Sequence, residues 1–134
     1  MTPKRQAVEK KRLVHLAEGK FSPRYTKMTT GVIRYSYHES VAVIDSTKAG
    51  KTSQDIIGVG GDIPVVASLE EAKAFEPEAL LVGVTPPGGR LTDDIKGYLL
   101  AAIEAGLDVY AGLHDFMQND PDLAAEADRH GVRL

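Results

Sequence analysis

The run Asp45-Ser46-Thr47-Lys48-Ala49-Gly50-Lys51-Thr52 ends in Gly-Lys-Thr, the tail of a phosphate-binding loop, but Asp45 stands where such a loop needs its first glycine. The amides of that loop must face phosphates, so a carboxylate there argues against a Walker-type site. An acid at the end of a second strand is instead where dinucleotide-binding folds hold a ribose hydroxyl, while Lys48, Lys51 and the amides near Gly50 can hold an anion. The same residues also suit a capped turn with exposed lysines. Thr85-Pro86-Pro87-Gly88-Gly89-Arg90 is the most specific local signal. Two prolines set φ, two glycines permit close approach by a backbone or ligand, and Arg90 offers a planar fork for carboxylate or phosphate, unless the loop is only a rigid connection. His114-Asp115 could transfer a proton, with the acid orienting the imidazole. Neighbours on an extended chain point in different directions, so a structural loop is the competing reading.

Other residues carry less. Glu18-Gly19-Lys20 lacks the G-x-G-x-x-G fingerprint, and Gly31 is too distant to supply the tight turn, which disfavours classical NAD binding. A phosphate could still meet Lys20, Ser22 or Arg24, although a structural role ranks higher. His15 reads as a core or interface residue, His38 as exposed, and His130 as a partner for the last carbonyls of a helix. Without cysteine or an E-x-x-H spacing, no metal site is expected.

These residues must be positioned by a scaffold, and four apolar runs define it. Residues 13–17, 41–44, 80–84 and 109–113 each end in glycine, proline or charge. If the runs are parallel strands, their polar clusters share one rim, the crevice where open α/β sheets bind ligands. Strands are expected at residues 12–17, 41–44, 64–66, 80–84 and 108–113. Helices are expected at 51–57, after the capping box at Ser68, after Thr92 and after Asp120-Pro121. Within the polar segment 18–36, the stretch 26–35 could be a helix but a poor one by propensity, with three threonines plus Val32 and Ile33. Residues 132–134 begin another extended run. The alternation predicts an α/β fold: a Rossmann-like, doubly wound, mostly parallel sheet of about five or six strands with helices on both faces.

The 134 residues suit one domain, preceded by a basic tail over residues 1–11. With 43% hydrophobic and 26% charged residues, disordered and fibrous classes are set aside. The net charge of −3 gives no broad attraction for nucleic acid or anionic membrane. No apolar run approaches the ~20 residues that span a bilayer, so a soluble, cytoplasmic protein is expected.

Several longer motifs occur in one order: Ala17-Glu18-Gly19-Lys20-Phe21-Ser22-Pro23, Gly31-Val32-Ile33-Arg34-Tyr35, Val43-Ile44-Asp45-Ser46-Thr47 with Gly50-Lys51-Thr52, Gly58-Val59-Gly60-Gly61-Asp62-Ile63-Pro64-Val65-Val66, Pro86-Pro87-Gly88-Gly89-Arg90 and Gly112-Leu113-His114-Asp115-Phe116. Together they resemble the N-terminal domain of the DgcN-like family, formerly a domain of unknown function. The resemblance implies a Rossmann-like domain followed by a C-terminal P-loop-like domain, which this chain is expected to lack. It further implies acetyl-CoA-dependent N-acetylation of D-amino acids such as D-glutamate, with the isolated domain inactive. Residues 62–116 are more loosely similar to CoA-binding domains of succinyl-CoA synthetase type, a fold-level analogy that points to acetyl-CoA or another adenine nucleotide. The expected ligand site is Gly19, Lys20, Asp45, Ser46, Thr47, Gly50, Lys51, Thr52, Pro86, Pro87, Gly88, Gly89, Arg90 and Asp115, with His114 as the catalytic candidate. A docking or oligomerisation module and an NAD(P)-binding domain resting on Asp45 are the alternatives, and a homo-oligomer remains open.

Overall fold

The computed structural model describes residues 10–84, 91–111 and 120–134. Five strands are formed by the apolar runs: β1 (Arg12–Leu16), β2 (Glu39–Ile44), β3 (Val65–Val66), β4 (Ala79–Val82) and β5 (Asp108–Ala111). All pair in parallel, in the order β3-β2-β1-β4-β5. This is the doubly wound, Rossmann-like arrangement expected, and all the strands end on one rim. Residues 132–134 form no strand. They lie along the outer edge of β5, where the Val109 amide donates to the Arg133 carbonyl at 2.8 Å.

The helices are α1 (Lys27–Tyr35), α2 (Ser53–Ile57), α3 (Leu69–Ala72), α4 (Asp93–Glu104) and α5 (Pro121–His130). Alternating strand residues send Val14, Leu16, Ala42, Ile44, Leu80, Val82 and Val109 into one core with Leu69, Leu99, Ile103 and Leu123 from α3, α4 and α5. A fully buried side chain of this class stabilises the fold by about 1.5–3 kcal/mol. The opposite face buries Ala17, Phe21, Val43 and Val65 against Ile57 of α2, with Ile33 of α1 at its margin.

Residues 27–35 are helical despite their composition, because tertiary contacts override local preference. Thr29 is buried under α1 and its Oγ1 lies 3.2 Å from His15 Nδ1, while the Thr30 hydroxyl donates to the Thr26 carbonyl. The expected caps are present at Ser68, Thr92 and Asp120. At the first of these, Glu71 accepts from the Ala67 amide, one residue earlier than a standard capping box.

Candidate functional site

The loops after β1 and β2 meet through two carboxylates, of which one is buried. Asp45 follows the last residue of β2 and is fully buried. Its Oδ1 accepts from the Gly19 amide at 3.1 Å, the Thr47 amide at 2.9 Å and the Thr47 hydroxyl at 2.6 Å. Its Oδ2 accepts from the Phe21 amide at 3.0 Å and lies 3.6 Å from Lys48 Nζ. Burial alone would raise this carboxyl group, but the Thr47 hydroxyl and the amides of Phe21, Thr47 and Gly19 outweigh it and hold the pKa below its ordinary value. The geometry therefore makes Asp45 the clamp between two rim loops. Gly19 takes a φ of +72°, open to glycine at little cost, which turns its amide toward the clamp. Beside it, Ser46 donates its amide to Glu18 Oε1 at 2.7 Å and its hydroxyl to Glu18 Oε2 at 2.5 Å.

The rim is divided in charge. From Gly19 to Lys27 the chain has no acidic residue, yet it contains Lys20, Arg24 and Lys27. Lys20 Nζ lies 5.5 Å and the Arg24 guanidinium carbon 5.4 Å from the centre of the exposed Tyr25 ring. Toward α4, Tyr98 lies near carboxylates instead. Its pKa is raised first by burial and then by the charges of Glu18, Asp94 and Asp45. A cleft of about 480 Å³ between α3 and α4 is lined by Ser68, Leu69, Lys73, Asp94 and Tyr98.

Gly50, Lys51 and Thr52 do not join the clamp. They flank β3, with the Gly50 amide donating to the Val65 carbonyl and the Val65 amide to the Lys51 carbonyl. Thr52 caps α2 in a reciprocal capping box with Asp55. The amides around Gly50 are thus engaged within the fold: those of Gly50, Lys51 and Ser53 donate to the carbonyls of Val65, Lys48 and Ile63. Pro86, Pro87, Gly88, Gly89, Arg90, His114 and Asp115 lie outside the described residues. Among the described residues, no group of three or more potential ligand side chains is placed to share a metal ion, and no helix is long and apolar enough to cross a membrane.

The histidines are placed by their contacts. His15 is fully buried, as expected of a core residue. His38 is half-buried rather than exposed, because its Nδ1 accepts from the Lys11 amide at 2.9 Å. His130 lies 3.5 Å from Glu126 Oε2, one turn back on α5. The sequence reading missed Tyr25 and Tyr98 as rim residues. The acid-free stretch around Tyr25 was a usable signal, whereas the surroundings of Tyr98 depend on the packing of α4.

A family model described as "Domain of unknown function (DUF1611_N) Rossmann-like domain" matches residues 46–134. The chain belongs to this family. D-glutamate N-acetyltransferase from Tritonibacter scottomollicae is 42% identical over 67 residues, covering 50% of this chain and 20% of that protein. The crystal structure of a DUF1611 family protein from Anabaena variabilis superposes with a TM-score of 0.80 at 34% identity, covering 87% of this chain and 34% of that one. This family member therefore spans well under two-thirds of either relative. The motif-based resemblance and the Rossmann-like architecture are both borne out.

Proposed function

We propose that this chain is the ligand-holding domain of an acetyl-CoA-dependent D-amino acid N-acetyltransferase, with its site on the carboxyl rim of the sheet. The carrying observation is the division of charge along that rim. Lys20, Arg24 and Lys27 gather where β1 passes into α1, and Glu18 and Asp94 lie toward α4. Acyl transfer from CoA to an amino acid joins a polyanionic donor to a cationic amine. A rim of this kind suits both, phosphates on the basic side and ammonium on the acidic side. The name of the Tritonibacter relative supports the same reaction class.

The donor set fits an anionic nucleotide better than a free ribose. Asp45 already accepts from three amides and a hydroxyl, so the feature that favoured an NAD-type site is engaged inside the protein. In this reading Lys20 and Arg24 hold the donor's phosphates, Glu18 and Asp94 attract the acceptor's ammonium, and the Asp45 clamp keeps the two loops in register.

Isothermal titration calorimetry of the chain with acetyl-CoA, NAD and ATP tests the reading. Binding of acetyl-CoA that weakens as salt rises is expected, with weaker binding of NAD. No heat with any of the three would overturn the ligand-holding role in favour of docking.

A further inference from the structure

Residues 20–25 form a patch whose charges the fold leaves without a counter-ion. Among the described residues no carboxylate lies within ion-pair distance of Lys20 or Arg24, whereas Lys48, Lys73, Lys96 and Arg129 each have one. Both cations instead lie within 5.5 Å of the centre of one exposed tyrosine ring. The negative faces of that ring hold the side chains in place at a gain of about 0.5–1 kcal/mol each at an exposed site. Their mutual repulsion is only partly screened, since the Debye length at 0.1 M salt is about 10 Å.

The backbone beneath them is well fastened. Phe21 and Thr26 are fully buried on either side of the patch. The Phe21 amide is held by Asp45, and the Ser22 amide donates to Thr26 Oγ1 at 3.2 Å. The Thr26 hydroxyl returns a bond to the Ser22 carbonyl at 2.7 Å, and the Tyr25 amide donates to Ser22 Oγ at 3.1 Å. A ligand meeting this corner would find the loop already ordered, which lowers the entropic cost of binding.

The geometry points to Lys20 and Arg24, positioned by Tyr25, as a seat for two adjacent phosphates of a nucleotide. A diphosphate supplies two neighbouring anionic groups for two neighbouring cations, one met by the planar guanidinium fork and the other by a compact ammonium. A single carboxylate would satisfy only one of them. This assignment rests on the reading of the rim as a nucleotide site. The same diphosphate occurs in CoA and in free nucleotides.

Calorimetry with inorganic pyrophosphate, ADP and CoA separates these sources, using the parent chain, Lys20→Gln/Arg24→Gln, Tyr25→Leu and Arg34→Gln. All three ligands should bind the parent, and the double variant should weaken each at least roughly tenfold, as expected for the loss of charge-assisted bonds. Arg34→Gln, on the far turn of α1, should leave the constants unchanged. Tyr25→Leu should weaken pyrophosphate binding less than the double variant while keeping the parent's salt dependence, because both charges remain. Tighter binding of CoA than ADP would assign the diphosphate to the acyl carrier, and equal binding to a free nucleotide, with the seat supported either way. CoA binding unchanged in the double variant would overturn the seat while the proposed function stands. No binding of CoA or ADP to the parent would overturn both. Matching far-UV circular dichroism and unfolding midpoints keep folding defects out of the comparison.

Discussion

His15 is the buried titratable group whose consequences are most easily measured. Its ring lies 3.2 Å from Thr29 Oγ1 through Nδ1 and 2.7 Å from Ser40 Oγ through Nε2, so both nitrogens are partnered. Burial lowers its pKa from 6.5 to about 4. Above pH 6.5 the ring is neutral in the folded and unfolded chains, and its contribution is fully present. As pH falls from 6.5 toward 4 the unfolded chain takes up a proton that the folded chain refuses, and stability declines by up to ~3 kcal/mol. Below about pH 4 both states are protonated and the loss from this group stops. Asp45 and Asp120 have lowered pKa values, so their stability is lost only below the ordinary carboxyl value of 3.8, in a separate window. The urea midpoint should therefore fall between pH 7 and pH 4.5, and His15→Gln should flatten that decline. An equal decline in both proteins would contradict the assignment. The type of residue at positions 15 and 45 was legible in the sequence, but its use was legible only for His15. An alternating apolar strand places position 15 in a face, whereas the donors that surround Asp45 come from residues 19–21, which sequence spacing does not bring near.

At the level of elements, capped segments were readable and the uncapped one only faintly. The Ser68, Thr92 and Asp120 signals placed α3, α4 and α5, because a side-chain cap is a local interaction written in local sequence. For α1 the Thr26 side chain makes no cap bond, and the helix depends on long-range packing against β2 and on Thr29 meeting His15 of β1. Gly83, just after β4, marks that packing. A Cβ at this position would run into Thr29 Oγ1 and lie 3.2 Å from the Leu16 carbonyl oxygen. Thr29 is itself held at His15, so it cannot simply turn away. Gly83→Ala should cost about 1–3 kcal/mol by overpacking, read as a lowered denaturant midpoint with an unchanged slope. Gly97 is the control, since it lies within α4 with nothing within 4 Å of an added Cβ. Gly97→Ala should stabilise by about 0.5–1 kcal/mol through helix propensity. If both substitutions shift the midpoint alike, the close approach of Thr29 to Gly83 is not what constrains position 83.

For the whole molecule, parallel pairing brings the carboxyl ends of separate strands to one rim. That geometry followed from four apolar runs with polar ends, and it is met in the order β3-β2-β1-β4-β5. The electrical division of the rim was not legible, because Glu18, Asp45 and Asp94 come together only when three separate segments pack near Tyr98. Gly50-Lys51-Thr52 shows the converse. It matches the tail of a phosphate loop in type and spacing, but the need to cover the outer edge of β3 uses its backbone groups. The central claim, that the basic side of this rim holds the nucleotide of the acyl donor, is tested most directly by amide chemical-shift mapping of the labelled chain during titration with CoA. The account predicts the largest shifts at residues 19–27, with smaller ones at Ser46 and Thr47. Shifts confined to the opposite end of the sheet, around Glu78, Leu107 and Asp108, would contradict it.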